Sequence, residues 1–188
     1  MKNAVMYDVP GFDSPTAMHR QQTLAKMRDA DAIIMVANAK APSLRGPELD
    51  ILKEKDMDGA PLYDKFVFAN KADMVDSYEA FEKNRDTTYS EWIERRKITG
   101  RKDRIFFGSA VAALGEKIGD AGTDARAKLK KIGITDGISE LKNSLEKYYR
   151  DERFDVLKKR VDSIIAYIQD MFEKIRENKN IVISSDTG

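Results

Sequence analysis

Four short apolar runs punctuate the first 110 residues: AVMYDV (4–9), DAIIMVANA (31–39), DKFVFANK (64–71) and DRIFFGSA (103–110). Each is rich in β-branched or aromatic residues and each ends in small or polar ones, which predicts buried strands. Between them lie TAMHRQQTLAKMRDA (16–30), GPELDILKEKDM (46–57) and SYEAFEKNRDTTYSEWIERRKIT (77–99). In these segments apolar residues recur at helical spacing. Strand alternating with helix implies an α/β fold, with a mostly parallel sheet carrying helices on its faces.

The pattern changes after residue 135. Ile138, Leu141, Leu145, Tyr148, Val156, Val161, Ile164, Ile168, Phe172 and Ile175 recur in steps compatible with one helix face. The spacing predicts one long amphipathic helix, or two helices broken near Arg150 to Phe154. The chain therefore divides into 1–135, an α/β part, and 136–188, a helical extension that looks like the start of a stalk or bundle. Such a stripe needs a partner, so self-association through this helix is expected. Trp92, at helical spacing, reads as a core anchor.

Composition narrows the chemistry. The 188 residues are 41% hydrophobic and 35% charged, enough for a buried core. Lys and Arg total 33 against 32 for Asp and Glu, a formal charge of +1 that gives no reason to expect a nucleic-acid partner. There is no cysteine, which removes disulfides, thiolate metal sites and a cysteine nucleophile and fits a cytoplasmic chain. One histidine, His19, does not make a histidine metal site or a serine–histidine relay; it reads as the start of a helix, and Ser14 as that helix's cap. The longest apolar run is too short to span a bilayer, so a soluble chain, or one peripheral to a membrane, is expected.

Candidate chemistry gathers where the strands end, since ligands of open α/β sheets bind beyond the carboxyl ends of the strands. Asp8 closes the first run and Gly11 lies in the turn after it, where backbone can approach a phosphate. An Asp here suits a magnesium ion held through water; an ordinary strand exit punctuated by Pro10-Gly11 is the plainer alternative. The third run leads into Asn70, Lys71, Ala72 and Asp73. A carboxylate there can accept from both N1–H and the exocyclic amine of guanine. The Asn amide offers a second polar contact and the Lys stem can cover the base. A polar loop after a strand is again the alternative. The fourth run ends in Gly108, Ser109 and Ala110, small enough for backbone amides to reach a base oxygen.

Taken in order, Asp8 to Gly11, Asn70 to Asp73 and Ser109-Ala110 resemble the third, fourth and fifth motifs of the P-loop GTPase superfamily. The segment from Gly137 to Ile168 further resembles the dynamin-like GTPases, where it leads out of the G domain. The resemblance implies an incomplete doubly wound GTPase domain followed by a helical extension, binding GTP or GDP with Mg²⁺. It implies Asp8 at the metal through water and the Gly11 amide at the γ-phosphate, with Asn70, Lys71 and Asp73 on guanine and Ser109 and Ala110 completing the pocket.

The superfamily's phosphate cradle, Gly-x-x-x-x-Gly-Lys-Ser/Thr, occurs nowhere in the chain. The implied cradle strand would lie between the strand ending at Asp8 and the run at 31–39. It is expected upstream of Met1, with a strand supplied by another chain as the alternative. Hydrolysis by the chain alone is not expected, because phosphoryl transfer rests on positioning and charge stabilisation. Three alternatives stand beside the dynamin-like reading: a non-catalytic helical scaffold, a fragment of a small Ras-like or translation-type GTPase, and a sugar- or phosphate-processing α/β enzyme. The basic stretch RRKITGRKDR (95–104) reads as a solvated face, with a phospholipid or partner contact as the sharper alternative.

Overall fold

Three of the four apolar runs form strands. A computed structural model describes residues 5–9, 23, 26, 30–41, 64–95 and 99–185, with the side chains of 116, 160 and 178–185 outside that description. The strands are β1 (Ala32–Asn38), β2 (Asp64–Asn70) and β3 (Ile105–Phe107), all parallel in the order β1-β2-β3. Ala32 pairs with Asp64 and Asn38 with Asn70; Val67 pairs with Ile105 and Ala69 with Phe107.

Strand β2 explains why its sequence is a continuous apolar run rather than an alternating one. Phe66, Val67, Phe68 and Ala69 are all buried, because both faces of the sheet are covered. On one face Val67 packs with Ile105 and the fully buried Trp92. Ala69 joins Phe81, Ala112 and Leu129 in the adjoining cluster. On the other face Phe66 and Phe68 meet Leu141 and Tyr148.

Five helices supply these partners. Helix α1 (Tyr78–Tyr89) starts at Ser77, whose Oγ accepts from the Ala80 amide at 3.2 Å. It runs into a π-turn, Ser90–Arg95, that brings Trp92 inward. Helix α2 (Ala110–Leu114) follows β3 directly, and α3 is Asp120–Lys131. Helix α4 (Ile138–Lys147) lies on the second face, and α5 (Arg153–Ser185) runs on from it through a π-turn at Tyr148–Glu152.

The structure revises one expectation, decides between two alternatives and adds a helix that the sequence reading did not place. Val5 to Val9 are not a strand: the segment has no regular structure, and Val5, Met6, Tyr7 and Asp8 are exposed. A strand exists only on a neighbour's hydrogen-bond ladder, and no described segment offers one to these residues. The helix through Arg150 to Phe154 does not break. It widens by one π-turn, which rotates Tyr148 into the core and lets α5 continue outward. Helix α3 was masked in the sequence by an internal glycine. Gly122 is buried there because a Cβ would overlap the Gly115 carbonyl.

The change of pattern after residue 135 marks α4, which still packs on the sheet through Ile138, Leu141 and Leu145. Only α5 leaves it. Among the described residues no helix is long and apolar enough to cross a membrane. The expected helix at 46–57, most of that at 16–30, and Gly11, Ser14 and His19 lie outside the described residues.

Candidate functional site

The carboxyl ends of β2 and β3 are held together by one side chain. Asn70 closes β2, and its Oδ1 accepts from the Lys71 amide at 2.8 Å and from the Ala110 amide at 2.9 Å. The second bond spans forty residues of sequence. It fixes the Asn-Lys-Ala-Asp loop against the first turn of α2. Backbone bonds tighten the same junction: Ala72 N donates to the Gly108 carbonyl at 2.9 Å and Gly108 N to the Ala69 carbonyl at 3.0 Å. The tip of β1 joins as well, with Ala39 N donating to the Asn70 carbonyl at 2.8 Å.

The local conformations follow from these bonds. Lys71 takes a left-handed backbone, φ 66°, the one such non-glycine residue among those described. That reversal sends the chain directly into the short 3-10 turn Ala72–Met74 and is worth notice in a residue with a Cβ. Lys71 is exposed and Ala72 is buried. Asp73 is half-buried at the rim, and no described residue engages its carboxylate in a hydrogen bond or ion pair.

Ser109 is fully buried; its Oγ caps α2 by accepting from the Ala112 amide at 3.2 Å. Its amide donates to the Asp136 carbonyl at 3.0 Å. The loop before α4 thus braces the site from behind. This close approach requires glycine at two positions. A Cβ on Gly108 would overlap the Asp136 carbonyl, and one on Gly137, φ 75°, would overlap that of Phe107. The sequence did not single out Asp136-Gly137 as part of the site. The signal available was an Asp-Gly pair immediately before a helix, with Asp136 Oδ1 accepting from the Ile138 amide at 2.8 Å.

Of the residues anticipated from sequence, Asn70, Lys71, Ser109 and Ala110 meet at one junction beyond the carboxyl ends of β2 and β3, with Asp73 in the 3-10 turn that follows. Asp8 does not close a strand, and no described residue forms an ion pair or hydrogen bond with it. Tyr7 beside it has the Lys26 ammonium 4.7 Å from its ring. Asn70 also has a structural role that the sequence reading did not assign. Its carbonyl is committed within the protein, which leaves only its NH₂ group for a ligand.

Toward a base the junction offers the unengaged Asp73 carboxylate, the Asn70 NH₂ group and the exposed Lys71 stem. The Ser109 and Ala110 amides, expected to reach a base oxygen, are instead engaged within the protein, by the Asp136 carbonyl and by Asn70 Oδ1. The groups present do not assemble a metal centre. Among the described residues no three His, Cys, Asp or Glu side chains stand together, and Asp8 is exposed outside the sheet. An open cavity of about 340 Å³ lies elsewhere, beside β3, lined by Phe81, Arg85, Phe107, Ile134, Thr135 and Glu140. It includes none of the anticipated residues. No family model and no curated protein matches the chain.

Proposed function

We propose that the chain carries the guanine-recognition half of a P-loop GTPase of the dynamin-like kind. The observation that supports this reading is the Asn70 bridge, which joins the Asn-Lys-Ala-Asp loop to Ser109-Ala110 and leaves the Asp73 carboxylate unengaged at the rim. Asp73 accepts from N1–H and the exocyclic amine of guanine. Adenine presents no such pair, so its complex leaves the carboxylate unsatisfied. Lys71 lies along the base, and the Asn70 NH₂ group is the donor left for a polar atom of the base.

GTP and GDP are the ligands proposed, with Mg²⁺ at their phosphates when the cradle is supplied. Asp8 and Gly11 are the residues that the family resemblance assigns to metal and γ-phosphate. No catalytic step is assigned to this chain, whose sequence holds no Gly-x-x-x-x-Gly-Lys-Ser/Thr. Without it the base contacts act alone, and binding in the millimolar range is expected, worth about 4 kcal/mol.

Amide NMR of the full chain titrated with GDP and ADP tests the reading. GDP shifts the signals of Lys71, Asp73 and Ala110, ADP leaves them in place, and Asp73→Ala removes the GDP response. Equal shifts with both nucleotides, or none with either, overturn it. A non-catalytic assembly module is the second reading, favoured by the exposed apolar face of α5. It has Asp73→Ala change nothing that the protein does.

A further inference from the structure

One peptide group links the turn that carries Asp73 to the loop in front of α4. The Gly108 carbonyl accepts from the Ala72 amide at 2.9 Å. The Ser109 amide, in the same planar unit, donates to the Asp136 carbonyl at 3.0 Å. Ala72 is wholly buried and opens the 3-10 turn that holds Asp73. Because the peptide is rigid, its two bonds do not turn independently: a tilt that lengthens one misaligns the other. Each bond also polarises the group for its neighbour, as in any hydrogen-bond chain.

The far end of this relay is itself fixed. Asp136 Oδ1 accepts from the Ile138 amide at 2.8 Å, and Thr135 Oγ1 accepts from the Gly137 amide at 3.2 Å. The Thr135 hydroxyl in turn donates to Glu140 on the first turn of α4. Gly137, at φ 75°, sits so close to the Phe107 carbonyl that a Cβ would overlap it. These contacts aim the Asp136 carbonyl at Ser109. The near end has no such support of its own. No described residue engages the Asp73 carboxylate, so its aim rests on the backbone of the turn. A carboxylate that accepts two bonds from one edge of a base has to be held within about 0.5 Å.

We propose that Asp136 is a positioning residue for base recognition, acting on Asp73 through the Gly108–Ser109 peptide and Ala72. The proposal rests on the guanine reading of Asp73. It adds that the start of α4, far along the sequence from the Asn-Lys-Ala-Asp loop, sets how well that loop reads its ligand.

NMR of the full chain tests it by two measurements. One is the scalar coupling across the hydrogen bond from the Ala72 nitrogen to the Gly108 carbonyl carbon, read without ligand. The other is titration with GDP. Asp136→Ala removes the cap on the Ile138 amide and frees the loop; the coupling weakens and GDP affinity falls about tenfold. Asp136→Asn keeps an acceptor in place and restores both. Leu145→Ala thins the packing of α4 on the sheet without touching the relay. It lowers stability in urea and leaves coupling and affinity as they were. Equal loss of affinity in Leu145→Ala and Asp136→Ala would mean general loosening and overturns the proposal. So does an Asp136→Ala chain that keeps coupling and affinity, or an Asp136→Asn chain that rescues neither. A wild-type chain that ignores GDP overturns the guanine reading and the proposal with it. A wild type that responds to GDP, with affinity indifferent to Asp136, leaves that reading standing and overturns the positioning role alone.

Discussion

Asn70 shows how one side chain can join two loops. Both of its bonds use the same oxygen, so replacing it with alanine strands two backbone donors. At about 1 kcal/mol for each bond, Asn70→Ala costs roughly 2 kcal/mol in urea unfolding. Asn70→Asp keeps an acceptor in place and costs much less. Equal losses for the two variants would show that the bridge is not what matters at this position. Gly108 makes the complementary case. The atom that a new Cβ meets is the Asp136 backbone carbonyl, which cannot rotate away as a side chain does. Gly108→Ala therefore destabilises by about 1–3 kcal/mol, the range for overpacked sites, and opens the brace behind Ser109.

At the scale of elements, the π-turn after α1 places Trp92 between that helix and the sheet. The ring is fully buried, yet its Nε1 has no hydrogen-bond partner among the described residues. Its contribution is therefore contact area rather than a polar bond. Trp92→Ala costs about 3–5 kcal/mol, and Trp92→Phe well under half of that by the same unfolding measurement. The turn before β3 behaves differently because charge holds it. Arg101 bonds Asp103 through two contacts of 3.0 and 2.6 Å and reaches Glu152 at 2.7 Å. The hydrogen bond from Arg101 holds the Asp103 carboxyl below its usual range, against a smaller opposing push from burial. A carboxylate with a lowered folded-state pKa stabilises above its unfolded value, about pH 4, and loses that contribution as pH falls through the folded value. The melting-temperature gap between the wild-type chain and Asp103→Asn should hold steady from pH 7 to about 5 and close below about pH 4. The gap is small, since the Asp103 side chain is mostly exposed.

Across the whole molecule the sheet has two working ends. At the carboxyl end lies the Asn70 junction. At the other end, the strand entries are tied to the root of α5. Arg104, only 1% exposed, bonds Asp64 at 3.2 Å and Glu152 at 2.5 Å through one nitrogen. Its guanidinium lies 4.1 Å from the Phe66 ring centre and 5.1 Å from that of Tyr148. Its other two nitrogens have no hydrogen-bond partner among the described residues, because these rings surround the group. Arg153 pairs with Asp31 at 2.8 Å, and the Tyr148 hydroxyl donates to the Asp31 carbonyl at 2.9 Å. Removing Arg104 takes the shared cation from two carboxylates and the stacking from two rings. Arg104→Ala is expected to cost about 3–5 kcal/mol and to raise hydrogen exchange through residues 148–152, while exchange at Asn70 to Asp73 changes only with global stability.

Much of this was written locally. The runs at 31–39, 64–71 and 103–110 marked where strands form; only β2 is buried on both faces, while β1, expected to be buried, is half-buried with Val36 exposed. Small and polar residues marked where β2 and β3 end. Periodicity likewise marked α1, α4 and α5, and helical spacing put Trp92 in the core. Tertiary structure decided the rest. Whether the run at Val5 to Val9 becomes a strand depends on a neighbouring ladder, which its own residues cannot encode. That Gly122 sits inside a helix depends on how closely Gly115 approaches. That the Asn70 carbonyl turns inward to Ala110, and Glu152 to Arg104, depends on groups forty or more positions away. Periodicity records which face of an element is buried; the partner of a polar group is set only when distant segments meet.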